Sequence, residues 1–351
     1  MEIRRFVREE LRPHAAEWEA AEWFPDEVFR RMAELGLLGL KYPVEYGGRG
    51  GGYLDDAVLQ EELGRCGSGG LAAGIGAHVG IATPPVWKFG TGDQKERFLA
   101  PAIRGERIAA LGITEPGAGS DVAGIRTFAR RVDGGWVVNG SKTFITNGVR
   151  ADFVVTAVKT TEDGGHQGIS FLILEREMDG FITSKKLEKL GWRASDTGEL
   201  AFSDVFVPEE NLLGKENRGF YLIMANFQWE RLIMALGAVA SMEALVDRVL
   251  AAQPGSRWRH AVAEMAVKHE ASRALTYHAL RLFADDGNAV REVTEAKLLS
   301  QRAAFEVAEA AFRILDGDPE AGRAMRDTRL GPIGGGTDEV MKEILGKQLG
   351  L

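Results

Sequence analysis

The sequence has 351 residues, 45% of them hydrophobic and 27% charged, and its 51 acidic side chains outnumber 43 basic ones for a formal net charge of −8. That is the profile of packed globular domains, roughly two or three at this length, and it excludes disordered and fibrous classes. An acidic surplus also argues against a nucleic-acid partner, which is normally held by a basic surface that displaces counterions.

A single cysteine, Cys66, rules out an intrachain disulfide and fits a cytoplasmic setting. The N-terminal stretch is charged throughout and shows no apolar signal core. Phe24-Pro25-Asp26 opens a helix with proline in its first turn. Phe29, Met32 and Leu35 follow at helical spacing, and Gly36 is placed to end it. After a glycine-rich turn at 47–52, residues 54–63 predict a second amphipathic helix. The longest uncharged run, 66–87, holds several glycines and Pro84-Pro85. It is not oily enough for a bilayer, so buried helix and turn are expected there, and no membrane partner. Gly92-Asp93-Gln94-Lys95 starts another short helix.

Near residue 111 the period changes from helical to alternating. Residues 127–132 and 136–138 flank Asp133-Gly134-Gly135, a hairpin signal. Asn139-Gly140 predicts the next turn. Residues 153–158, 169–174 and 200–207 are further strand candidates, and Pro208 closes the region. From about 216 the chain is rich in alanine and leucine. Leu298, Phe305, Ala308, Phe312 and Leu315 form a near-heptad stripe, and Val262, Met265, Ala266, Leu275, Ala279 and Leu282 mark another helix, as in a bundle. The expectation is an α+β protein with a helical unit over 1–110, a β unit over 111–215 and a helical bundle over 216–351.

Several chemistries are absent from the pattern. There is no phosphate-cradling glycine loop of the P-loop type and no strand-linked dinucleotide fingerprint. The histidines are scattered without metal-ligand spacing, so no metal is expected. No serine sits in a nucleophile elbow. An enzyme made from this chain takes its reactive group from a cofactor.

Four segments carry chemistry. Residues 113–121, Ile-Thr-Glu-Pro-Gly-Ala-Gly-Ser-Asp, end a strand with small side chains whose amides and hydroxyls can reach a flat polar ligand. Residues 139–148 place Phe144 and Thr146 on one strand face, an aromatic to stack and a hydroxyl to donate. In residues 227–236 a carboxylate, Glu230, begins an apolar helix, where burial raises a carboxyl pKa and makes a better base near neutral pH. Arg326-Asp327 precedes Ile333-Gly334-Gly335-Gly336-Thr337-Asp338-Glu339, a helix start with free amides suited to an anion or carbonyl oxygen. Read alone, each segment is equally compatible with a turn, a core strand, an ion pair or a helix cap.

Taken in order, these segments resemble the acyl-CoA dehydrogenases, flavoenzymes of acyl thioester oxidation. The likeness spans nearly the whole chain. It includes Leu-Gly-Leu-Leu-Gly-Leu and Tyr-Gly-Gly within 35–48, Phe98-Leu99-Ala100-Pro101, and Asp204-Val205-Phe206-Val207-Pro208. The resemblance implies a helical N-terminal domain, a central β domain and a C-terminal four-helix bundle, with FAD between the last two. By similarity, Leu111, Ile113, Thr114, Gly119 and Ser120 line the flavin or its ribityl chain. Phe144 stands where relatives often stack a tryptophan, Ile145 flanks it, and Thr146 bonds the flavin N5 region. Thr337 and Glu339 meet the rest of FAD. Ser120 and Arg231 face the coenzyme A part of the substrate, and Gly335 and Gly336 the thioester.

The implied reaction removes an α proton by a carboxylate and delivers the β hydrogen as hydride to flavin N5, leaving a trans-2-enoyl thioester. Electrons then pass to an electron-transferring flavoprotein. Many relatives carry the base directly before the C-terminal Gly-Thr, where this chain has Gly335. Others, the long-chain and isovaleryl types among them, carry it on the bundle helix before an arginine, where this chain has Glu230-Arg231. The expected base is therefore Glu230. Two stretches depart from the family. The Arg-x-x-Phe-Gly segment that reaches a neighbour's FAD is missing after Gln253, and a usual Leu-Gly-Gly turn reads Leu315-Asp316-Gly317-Asp318. The family implies a homodimer or homotetramer, and these departures leave room for a hetero-oligomer. Two alternatives share the fold: an oxygen-using oxidase or monooxygenase, and a cofactor-poor partner subunit.

Overall fold

The computed structural model describes residues 2–161 and 164–351. Helices come first: α1 (Glu2–Phe6), α2 (Ala15–Ala21), α3 (Glu27–Glu34), α4 (Tyr53–Gly64), α5 (Gly69–Gly76), α6 (Thr83–Phe89), α7 (Gly92–Gln94) and α8 (Ala100–Ile103). The uncharged run expected to be buried helix and turn forms α5 and α6, joined by a wide helical turn at Ala77–Ala82. Ser68 starts α5 by accepting a hydrogen bond from the Leu71 amide at 3.1 Å, so one orphan donor of the first turn is satisfied. Cys66 is fully buried, and burial pushes its thiol up to about 12, an inert core residue.

Eight strands follow: β1 (Ala109–Gly112), β2 (Phe128–Val132), β3 (Gly135–Thr146), β4 (Phe153–Lys159), β5 (Ile169–Glu175), β6 (Phe181–Lys186), β7 (Thr197–Pro208) and β8 (Leu212–Leu213). They form one sheet in the order β6-β7-β3-β2-β4-β5-β8, with β1 paired to β4 in parallel. The hairpin at 133–134 is present, with Gly134 at φ 74°. The turn expected at Asn139-Gly140 is not. Those residues lie inside β3, where pairing with β7 shifts register and Gly140 takes φ 147°. Asn-Gly tolerates a bulge as readily as a hairpin turn. All seven residues of β4 are buried. Phe153, Val155 and Ala157 face the N-terminal helices, and Val154 and Val158 face the opposite core, which explains an apolar run without alternation.

His78 joins the helices to the sheet. Its Nδ1 accepts from the Ala109 amide at 3.0 Å and its Nε2 donates to the Ala102 carbonyl at 3.1 Å. Burial brings its pKa down to about 4, so the ring is neutral and structural.

The chain ends in three long helices, α9 (Gly219–Ala251), α10 (Arg259–Asp286) and α11 (Val290–Ile314), and two short ones, α12 (Pro319–Asp327) and α13 (Asp338–Gln348). The stripe of large residues expected to face the bundle core is mostly half-buried instead. The buried seam of α11 runs through Val293, Lys297, Ser300, Ala304, Val307, Ala311 and Ile314. Small side chains on that seam let α9 and α10 approach closely, and the phenylalanines pack along the flank. No helix among the described residues is long and apolar enough to cross a membrane.

One buried carboxylate ties the three regions together. Asp327, at the end of α12, accepts from the Gly69 amide at 2.9 Å and the Trp192 amide at 2.7 Å. It therefore anchors the start of α5 and the loop before β7 to the bundle.

Candidate active site

The loop before α13 needs glycine. Gly335 and Gly336 take φ 63° and 95°, backbone that L side chains avoid. Thr337 then caps α13, its hydroxyl accepting from the Val340 amide at 3.3 Å. This loop passes over one turn of α9. A β-carbon built on Gly335 would lie 2.6 Å from Met234 Sδ and 3.9 Å from Glu230 Oε1. Glu230 and Met234 are one helical turn apart and share a face.

Glu230 is surrounded by protein yet only half-buried. Burial lifts its carboxyl to about 7, and the cations of Arg231 and Lys297 pull in the opposite direction. Arg231 is buried, 6% exposed, and its Nε donates to the Gly335 carbonyl at 3.3 Å. The sequence places Arg231 toward coenzyme A. In the fold its guanidinium is instead turned under the loop, because the helix position after Glu230 faces the bundle interior.

The β region presents a second group of expected residues. Thr143 donates its amide to the Thr114 carbonyl at 2.9 Å, so segments 113–121 and 139–148 run side by side. Glu115 turns inward. Its carboxylate accepts from the amides of Arg126 at 2.6 Å and Thr127 at 2.9 Å and from Lys142 Nζ at 2.7 Å. Burial raises the Glu115 pKa, but Lys142 and those donors outweigh it and the net direction is down. Burial brings the lysine down to about 8. With Glu115 holding the loop from behind, Gly119 and Ser120 are left exposed.

A register shift in β3 between Lys142 and Ile145 puts Phe144 at φ 59° and turns its ring out, 69% exposed. Thr146 is half-buried beside it. Ile145, expected among the cofactor contacts, has its side chain in the β core at 3% exposure. Strand alternation opposes it to Thr146, so it offers a cofactor only its backbone. Leu111 is half-buried, and Ile113, 9% exposed, packs with Ala118 in the same cluster as Leu222, Ile223 and Phe227 of α9. Phe227, in that same cluster, is one turn before Glu230 and Arg231. Thr337 and Glu339 belong to the first turn of α13, and Glu339 is exposed.

Sequence reasoning missed Ile233, Met234 and Lys297. Ile233 is half-buried on the Glu230 face of α9, and a β-carbon on Gly80 would collide with its Cδ1. Lys297 is fully buried, with Nζ donating to the Gly336 carbonyl at 2.7 Å. Lys297 had a signal in the sequence: it is the one charged residue on the buried seam of α11.

Family comparisons agree with this layout. The sequence models of the acyl-CoA dehydrogenase N-terminal, middle and C-terminal domains match residues 1–106, 110–205 and 217–350. The chain belongs to the acyl-CoA dehydrogenase family. It is 37% identical to a mitochondrial isovaleryl-CoA dehydrogenase of Arabidopsis thaliana, over 99% of this chain and 89% of that protein. It is 36% identical to the mitochondrial long-chain specific acyl-CoA dehydrogenase of Mus musculus, over 99% and 84% respectively. A crystal structure of a probable acyl-CoA dehydrogenase from Mycobacterium abscessus superposes with a TM-score of 0.95 at 40% identity, covering 99% of this chain and 96% of that one. The family is one of FAD-dependent oxidoreductases acting on acyl-CoA, and an acyl-CoA dehydrogenase fold with helical, β and helical domains is what the coordinates contain.

Proposed function

We propose that this protein oxidises an acyl-CoA thioester between Cα and Cβ with Glu230 as the base. The observation that carries the reading is an unpartnered carboxyl, raised to about 7, beside a glycine loop and one turn of helix away from the β region. A base poised near the working pH combines a useful ionised fraction with real basicity.

The residues present suit a flavin. Phe144, thrown outward on left-handed backbone, and half-buried Thr146 form a shelf for a flat ring. Space around Gly117 and Gly119 is open, with nothing nearer than 3.8 Å to a β-carbon on either. Thr114, Gly119, Ser120, Phe144 and Thr146 would hold the ring and ribityl end, and Thr337 and Glu339 the remainder. When bound, FAD supplies an acceptor for the β hydrogen as hydride.

The chain's own residues do the rest. Amides of the Gly335 loop are free to donate to the thioester oxygen, which stabilises charge developing there as the α proton leaves. Glu230 takes that proton. Loss of H⁺ from Cα and hydride from Cβ leaves the trans-2-enoyl thioester. Half-buried Ile233 and Met234 give the acyl group an apolar wall. The reading extends to a cytoplasmic homodimer or homotetramer that passes electrons to an electron-transferring flavoprotein.

Steady-state turnover of Glu230→Gln with an artificial acceptor, across acyl-CoA of different lengths and shapes, tests the reading. Loss of turnover with flavin content retained is the expected result. Turnover close to that of the unaltered protein would place the base elsewhere.

A further inference from the structure

Lys297 stands out on the bundle seam. It is fully buried between Val293 and Ser300, and no carboxylate oxygen lies within ion-pair distance of its Nζ among the described residues. Its partner is a backbone oxygen, the Gly336 carbonyl at 2.7 Å. The preceding carbonyl, Gly335, is held by Arg231 Nε at 3.3 Å. Two buried cations thus grip two successive carbonyls of the glycine loop. A buried ammonium is costly unless nearby negative charge offsets it, so its presence on an otherwise uncharged seam calls for an anion.

We propose that Lys297 is a positioning residue for the dehydrogenation: it fixes the Gly335–Gly336 loop through the Gly336 carbonyl, and its charge favours the ionised form of Glu230. This rests on the assignment of Glu230 as base. Around Lys297, α9 contributes Glu230 and Arg231, and the first turn of α13 contributes Asp338 and Glu339. Of these, Asp338 acts most strongly on Lys297; its Oδ2 accepts from Arg302 Nε at 2.6 Å and its Oδ1 is buried without a partner. From α10 the buried groups are the hydroxyls of Ser272 and Thr276 and the ring of His269, whose Nδ1 faces Glu270 at 3.5 Å. Burial brings Lys297 down to about 8, so it is charged over the range in which Glu230 titrates. Arg231 and, after it, Lys297 are the cations that oppose the burial of the Glu230 carboxylate, each bonded to one of two successive carbonyls of the loop.

The experiment compares Lys297→Gln, Lys297→Met and Lys297→Arg in the flavin-loaded enzyme. Gln keeps a donor for the Gly336 carbonyl and removes the charge; Met removes both; Arg keeps the charge. The acid limb of the pH–rate profile is expected to move up by about one pH unit in Gln and Met and to stay in place in Arg. A second readout needs no turnover. The pH at which the stability difference between Glu230→Gln and its parent levels off, set by the folded-state pKa of Glu230, should rise by a similar amount in the Lys297→Gln background. An unmoved limb and an unmoved stability midpoint in Lys297→Gln, with Glu230→Gln inactive, overturn the role of Lys297 and leave the base intact. An active Glu230→Gln sinks the base assignment instead, whatever the lysine variants do.

Discussion

Glu230 Oε1 lies 3.9 Å from the point that a β-carbon on Gly335 would occupy. The two positions that the resemblance offers for the base, far apart in sequence, therefore lie next to each other in space. A side chain entering from the loop and one rising from α9 can serve the same substrate atom.

That convergence predicts a transplant. Glu230→Gly combined with Gly335→Glu should recover part of the lost activity, but only once Met234 is shortened, because its Sδ lies 2.6 Å from the new β-carbon. Left-handed backbone at 335 adds strain of about 1 kcal/mol or more, so recovery should be incomplete. Turnover of the triple variant with Met234→Ala against the double variant checks this. Equal activity in both would mean that Met234 does not obstruct the site.

Glu230 should also govern part of the stability–pH curve. Its folded pKa, about 7, is above the ordinary 4.5, so between those values the folded state holds more protons than the unfolded one. Stability must fall as pH rises through that window. Glu230→Gln removes the penalty and should be the more stable protein above pH 8, by about 2–3 kcal/mol, with the difference vanishing below pH 4. Denaturant unfolding at several pH values would show it.

Phe144 is 69% exposed, so Phe144→Ala should change stability by no more than about 0.5 kcal/mol while flavin content of the purified protein falls. Absorbance at the flavin band against protein concentration separates the two effects. A fully loaded variant would remove Phe144 from the cofactor shelf.

The Lys142–Glu115 pair behaves differently. Lys142 is fully buried and bonded to Glu115 at 2.7 Å, so Lys142→Met strands a carboxylate and should cost about 3–5 kcal/mol. Adding Glu115→Gln should return much of that loss, a coupling that a double-mutant unfolding cycle measures.

Ile233 should limit acyl size. It fills the groove over Gly80 next to the Glu230 face of α9, so Ile233→Ala should raise kcat/KM for longer acyl-CoA relative to short ones, by about tenfold for each 1.4 kcal/mol of added transition-state stabilisation. Unchanged preference over a chain-length series would place the acyl group along another wall.

Most of the architecture was legible because it follows from period and punctuation. The alternating segments became strands, the Asp133-Gly134 turn became a hairpin, and the uncharged run became buried helix. Three features escaped for physical reasons. Asn139-Gly140 permits both a turn and a bulge, and only pairing with β7 selects the bulge. The seam of α11 is built of small residues, so the large ones that dominate a hydrophobic pattern mark its flank. The side-chain directions of Ile145 and Arg231 depend on a register shift and on helix rotation, which a motif does not encode. Glu230 was readable because a carboxylate in an apolar helix is rare and costly, although it lies well inside α9, which starts at Gly219, and not at the helix start that the sequence suggested. Lys297 carried the same kind of signal, but it sits among small residues, on a different stripe from the large apolar ones that suggest a core.

The central claim is that Glu230 removes the α proton. The most direct measurement is anaerobic single-turnover bleaching of the bound flavin on mixing with acyl-CoA, comparing Glu230→Gln with the unaltered enzyme at matched flavin content. Bleaching slower by about 10²–10⁴-fold is predicted. Bleaching at an unchanged rate would contradict it.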